Sequence, residues 1–192
     1  MKPMKQTILA AAILCCTMPA MAGDAYVGAS LGRSQQTAHM GGFLIHHTGY
    51  ATAYKLFGGY QFTPNFGVET GFADLGKLAV EGGPEWAHTR GNVRPRMLYA
   101  AATASMPLTD RFTLSGKLGV AATRLTHTIN TGGGDYTESH NGGNLVAGIG
   151  ASYALNEKVA LVAEYENFGK IHKVVGEDVK AEMVSVGVRM KF

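Results

Sequence analysis

Met183-Val184-Ser185-Val186-Gly187-Val188-Arg189-Met190-Lys191-Phe192 closes the 192-residue chain, and its side chains alternate to the last residue. Val184, Val186, Val188, Met190 and Phe192 share one face; Ser185, Gly187, Arg189 and Lys191 share the other. A period of two belongs to a β-strand. From Val184 onward the charged face carries no large apolar side chain, and the apolar face carries no charge. A soluble barrel turns its apolar set inward. A barrel in a bilayer does the reverse, because Lys or Arg facing lipid at midplane costs ~2–4 kcal/mol.

The same division recurs upstream. Eight alternating segments run over 24–32, 50–62, 66–76, 96–106, 111–125, 143–155, 158–169 and 179–192. Each is long enough to cross a bilayer as a tilted strand, which takes ~9–11 residues. Lys55 opposes Leu56 and Tyr60; Glu69 opposes Val68 and Phe72; Lys117 opposes Leu114 and Leu118; Glu164 and Glu166 oppose Leu161 and Tyr165. The exceptions, Asp74 and Glu182, fall at one rim. Backbone groups in lipid must all be paired, which requires a closed barrel without edges. The expected fold is therefore all-β, an eight-stranded antiparallel up-and-down transmembrane barrel.

Connections alternate in length. Thr63-Pro64-Asn65, Pro107 to Asp110 and Asn156-Glu157 are short, whereas roughly 33–49, 77–95, 126–142 and 170–178 are long. Short periplasmic turns and long extracellular loops are the outer-membrane pattern. Eight strands then put both mature termini in the periplasm. Tyr60, Phe62, Phe66, Phe112, Tyr153 and Phe192 gather at the short-turn end as an expected aromatic girdle.

The rest of the chain narrows the class. Lys2 and Lys5, the apolar run Ile8 to Cys16, and Ala20-Met21-Ala22 read as a secretory signal cleaved after residue 22. Residues 23–192 form the barrel domain, and cleavage removes both cysteines, Cys15 and Cys16. That run is also the longest unbroken apolar stretch, short of the roughly 20 residues of a membrane helix. A net charge of +3 with 46% hydrophobic residues excludes both a strongly basic nucleic-acid binder and a disordered chain.

Beyond the pattern, Phe57-Gly58-Gly59-Tyr60-Gln61, Pro64, Gly67, Glu69 and Gly71 resemble the second hairpin of the outer-membrane protein A (OmpA)-like transmembrane domain. Pro107-Leu108-Thr109-Asp110, Lys117-Leu118-Gly119 and Glu164-Tyr165 resemble its later hairpins, and 183–192 its final strand. Opacity-type adhesin barrels share this architecture. The resemblance implies a Gram-negative outer-membrane location among lipids and lipopolysaccharide. It also implies assembly through the barrel-assembly machinery, which reads a last strand ending in Phe192. Full-length relatives add a peptidoglycan-binding domain, which is not expected here. Their lumen cluster of two Glu, a Lys and an Arg is matched by Glu69 alone, with Thr103, Ser152 and Val162 at the other places.

The expected lumen cluster is Lys55, Glu69, Lys117, Glu164, Glu166 and Arg189, with Glu69 and Glu164 pairing to Lys117, Lys55 or Arg189. Such a cluster is either a polar plug or the gate of a narrow ion or small-solute pore. Gly28, Gly59, Gly71, Gly119, Gly148 and Gly150 are expected to make room for Tyr26, Phe57 and Tyr99. His39, His46, His47, His88, His127, His140 and His172 all fall on the long-loop side, without the spacing of a metal site. Thr131 to Asp135 lacks the Lys-Ser/Thr of a phosphate loop. Ser139 and His140, near Glu138 and Asp135, are neighbours on an extended chain and point apart, so no nucleophile–base pair is expected. Trp86 lies in the second long loop. No catalytic residue, metal or cofactor is assigned. The expected role is a surface-display barrel whose four loops serve adhesion or host contact; the alternatives are a narrow ion or small-solute pore and a lipid A-modifying enzyme.

Overall fold

The structure, a computed structural model, describes residues 24–40, 45–82, 89–130, 135–174 and 177–192. The expected signal segment and Trp86 lie outside them, as do the side chains of all seven histidines, Glu138 and Asp135. Among these residues nine strands follow in order: β1 Asp24–Met40, β2 Ile45–Gln61, β3 Phe66–Asp74, β4 Leu78–Gly82, β5 Thr89–Pro107, β6 Phe112–Asn130, β7 Asp135–Ala154, β8 Val159–Val174 and β9 Glu177–Lys191. Among the described residues there is no helix.

Every neighbouring pair is antiparallel. β1 pairs with both β2 and β9, and β3 closes the ring on β5 from Phe66↔Ala104 to Asp74↔Arg96. β3 and β4 occupy one place in the wall, so the nine strands make an eight-stranded closed barrel. Its ends meet: the Phe192 N–H donates to the Ala25 carbonyl at 3.0 Å.

The three short turns share one design. Thr63, Thr109 and Asn156 each accept, through a side-chain oxygen, backbone N–H groups two and three residues on, at 2.8–3.3 Å. Ser, Thr, Asn and Asp favour turns for this reason.

Elsewhere the wall departs from the sequence reading. β1, β2, β5, β6 and β7 are 17–20 residues long, well beyond the expected segments. Much of what was expected as long loop is strand, paired as far as Met40↔Ile45 and Asn130↔Asp135. Crossing a bilayer takes only ~9–11 residues, so these hairpins run on as paired ribbons past the membrane. The expected third segment, 66–76, breaks at Leu75. Gly76 has φ +80°, a left-handed conformation that suits glycine. The turn delivers the Leu75 carbonyl to Ser34 and Gln36 of β1, which both donate to it.

Alternation sorts the faces as expected in the lower barrel. Leu31, Leu56, Phe66, Leu98, Leu118, Leu145, Ile149 and Val186 are exposed on the outer wall. Phe62, Phe66, Phe112, Tyr153 and Phe192 lie exposed at the short-turn end, and the Tyr60 and Phe62 rings pack at 5.3 Å. In water an apolar surface this extensive would be a liability; in lipid it is the solvated face.

Candidate functional site: the filled lumen

Inward positions of β2, β3, β6 and β8 bring five of the six expected charges together. The Lys117 ammonium contacts Glu69 at 2.7 Å, Glu164 at 2.6 Å and Glu166 at 3.1 Å. Lys55 pairs with Glu164 and, at 2.9 Å, with Glu166. Glu69 also accepts the Tyr99 hydroxyl at 2.7 Å and the Tyr26 hydroxyl at 3.1 Å. Both lysines and Glu166 are buried. Burial of single charges is costly, but each of these is hydrogen-bonded to opposite charge, the condition under which such clusters persist.

Oxygens of Glu69, Glu164 and Glu166 lie within 4.8 Å of one another, a spacing a metal ion could use. The two ammonium groups already stand among them. The cation of this cluster is supplied by the chain.

Arg189 stands apart from the carboxylates. Its Nη2 donates to Ser152 at 3.3 Å and its guanidinium lies 5.2 Å from the Tyr26 ring centre. Among the described residues it makes no ion pair, so of the three expected partners of Glu69 and Glu164 the two lysines serve and Arg189 does not. The reason is depth: Arg189 lies next to the short-turn end of β9, below the cluster.

Glycines explain how an eight-stranded lumen accepts these side chains. A Cβ on Gly28 would collide with the Phe57 ring, one on Gly59 with Tyr26, and one on Gly71 would meet Tyr99 at 2.7 Å. Each ring lies over the glycine opposite it in register. Gly148 and Gly150 differ from expectation: they lie against Glu166 and Glu164, while Gly119 abuts the Ala101 backbone. What remains open beside the cluster is a cavity of about 20 Å³ bordered by Glu69, Lys117, Glu164 and Arg189. That is room for about one water.

Toward the long hairpins the lumen changes character, and here the expectation of a charged face free of large apolar side chains fails. Leu75, Met97, Leu125, Val146, Phe168 and Met183 are all buried inside. They form an apolar layer stacked on the charge cluster. Asn144 ties its edge, donating to the Thr123 hydroxyl at 2.9 Å and to the Phe168 carbonyl at 3.0 Å.

Asp74 and Glu182, the two misplaced charges, are hydrogen-bonded locally at this upper rim. Asp74 is gripped by Arg94 at 2.7 Å and Arg96 at 3.0 Å; Glu182 accepts from Asn167 at 3.2 Å.

An outer wall made for lipid around a closed, filled lumen defines a small outer-membrane β-barrel protein. Residues 8–192 match the outer membrane protein beta-barrel domain family, and the chain belongs to it as an OmpA-like eight-stranded barrel. Outer membrane protein A of Salmonella typhi is 31% identical over 203 residues, an alignment covering 98% of this chain and 56% of that protein. The chain therefore spans about half the length of the curated relatives it matches. Neisserial surface protein A shares the fold with a TM-score of 0.61 at 19% identity, covering 88% of this chain and 97% of that one. Ail, the attachment invasion locus protein of Yersinia pestis, does so with a TM-score of 0.56 at 20% identity, covering 87% and 98%.

Proposed function

We propose that this barrel is a sealed, non-enzymatic scaffold that holds four long hairpins outside the cell for adhesion or host contact. The observation that carries the reading is the double filling of the lumen, a charge cluster below an apolar layer. With the interior occupied, the surfaces left for function are the outer wall and the hairpins. Those hairpins are stiff paired ribbons rather than slack loops, which lowers the entropy lost when they grip a partner. The name of the Ail protein, an attachment barrel of the same fold, supports the reading as a likeness of architecture.

In this reading the short turns and both mature termini face the periplasm. Outer-membrane lipids and lipopolysaccharide surround the wall, the barrel-assembly machinery reads the strand ending in Phe192, and a host-surface ligand meets the hairpin tips. The test replaces the tips at 41–44, 83–88, 131–134 and 175–176 by Gly-Ser and measures attachment of expressing bacteria to host cells. Attachment is expected to fall to that of cells lacking the protein; undiminished attachment would overturn the adhesive role. Unchanged lipid A on overexpression is the expected result for a non-enzyme, and altered acylation the contrary one.

The charged lumen favours a second reading, a narrow pore gated by the Lys117 cluster. Conductance separates the two.

A further inference from the structure

At the upper rim the outer wall carries a charge arrangement that the lumen does not explain. Arg96 of β5 stands directly opposite Arg124 of β6 in register. Both belong to the outward-facing set, one step beyond the Leu98↔Ala122 pair. Like charges facing each other across strands are destabilising. Arg94, on the same face of β5, adds a third guanidinium. Asp74 is the single carboxylate among them in the described residues, already bonded to both Arg94 and Arg96. Arg124 is exposed and makes no ion pair among the described residues. Among the described residues three guanidinium groups thus share one carboxylate, and the arrangement lacks a further anion.

Its height identifies the anion. The outward side chains of β5 run from Met106 through Ala104, Ala102 and Ala100 to Leu98 and then change to Arg96 and Arg94. About ten residues separate Met106 from Arg96; at ~3.3 Å each and a tilt of ~35–45° this is a rise of about 25 Å. That equals the apolar band of an outer-membrane barrel. Arg96 and Arg124 therefore lie where lipid tails give way to headgroups. The opposite end offers a contrast. There Arg111, Lys158 and Lys191 are interspersed with Asp110, Glu157 and Asp24, and Lys191 pairs with Asp24 at 3.2 Å.

We propose that Arg96 and Arg124, with Arg94 oriented by Asp74, form a binding site on the barrel wall for the phosphate groups of lipid headgroups. Guanidinium forks match phosphate oxygens bidentately, and a phosphate between Arg96 and Arg124 converts their repulsion into two charge-assisted contacts. Lipid-borne phosphate is favoured over a soluble anion because the site adjoins exposed Leu98 and Val120, which meet the same lipid's chains.

The test is a titration of the folded, detergent-solubilised protein with lipid A, read by native mass spectrometry, with folding checked by the heat-dependent shift in gel mobility. Arg124→Gln is expected to weaken lipid A binding about ten-fold, the scale of a lost charge-assisted contact. Arg124→Lys, which keeps the charge but not the fork, should fall between. Arg111→Gln, the same charge change at the other end, should bind as wild type, and millimolar inorganic phosphate should not compete. Equal loss in Arg111→Gln and Arg124→Gln would reduce the effect to net charge and overturn the site. So would unchanged binding by Arg124→Gln, or full competition by free phosphate. The site belongs to the wall, so this experiment is independent of what the hairpins bind.

Discussion

The lower and upper halves of the lumen are filled by opposite chemistries. In the lower half, long charged side chains lie over glycines and neutralise one another around Lys117. In the upper half, Leu75, Met97, Leu125 and Phe168 exclude water without any charge. Together they show that a narrow barrel can be closed twice, by a network that is specific but fragile and by a packing that is tolerant. A network loses most when one member is removed, because its partners stay buried and unpaired. Apolar packing loses in proportion to the volume taken away.

The largest effect is expected for Lys117→Met, which leaves Glu69, Glu164 and Glu166 to share Lys55. Urea unfolding of the vesicle-refolded barrel should show a loss of about 3–5 kcal/mol. Adding Glu69→Gln or Glu166→Gln should recover part of it, a coupling that a double-mutant cycle measures. Leu125→Ala, in the apolar layer, should cost roughly 2–5 kcal/mol, and no charge substitution should rescue it. A rescue would dissolve the distinction between the halves. Glu69→Gln alone keeps the shape but weakens charge-assisted bonds to Lys117, Tyr26 and Tyr99, so about 1.5–3 kcal/mol is expected from the same unfolding curves.

Gly76→Ala tests the turn that folds Leu75 over the upper half. Its φ of +80° and the close approach of the Thr52 carbonyl predict a cost of about 1–3 kcal/mol. At the bottom of the scale, Arg111→Gln in a short turn should change stability by no more than ~0.5 kcal/mol.

How far these halves were legible in the sequence follows from what a period of two encodes. It assigns a side chain to a face, so the inward placement of Lys55, Glu69, Lys117, Glu164 and Glu166 could be read directly. It says nothing of depth, so the separation of Arg189 from the carboxylates could not. Nor does it mark where the wall leaves the membrane. Beyond the membrane-crossing stretch the apolar–polar alternation of the sequence fades and strand resembles loop; hence the shortened boundaries of β1, β5 and β7. Met97, Leu125 and Met183 were hidden differently. They occupy the same face as the charges, and only the closed barrel shows that their stretch of that face forms a dry core. The break at Leu75 and Gly76 left one signal, the glycine after Leu75, too common in a chain with 26 glycines to stand out.

Closure of the lumen is the central claim, and single-channel recording tests it most directly. Residues 23–192, refolded into planar bilayers, should give a folded but silent barrel, and Lys117→Met and Leu125→Ala should each stay silent because the other half still seals. Reproducible current steps from the wild-type barrel, changed in size or lifetime by Lys117→Met, would contradict the account and make the charge cluster a gate.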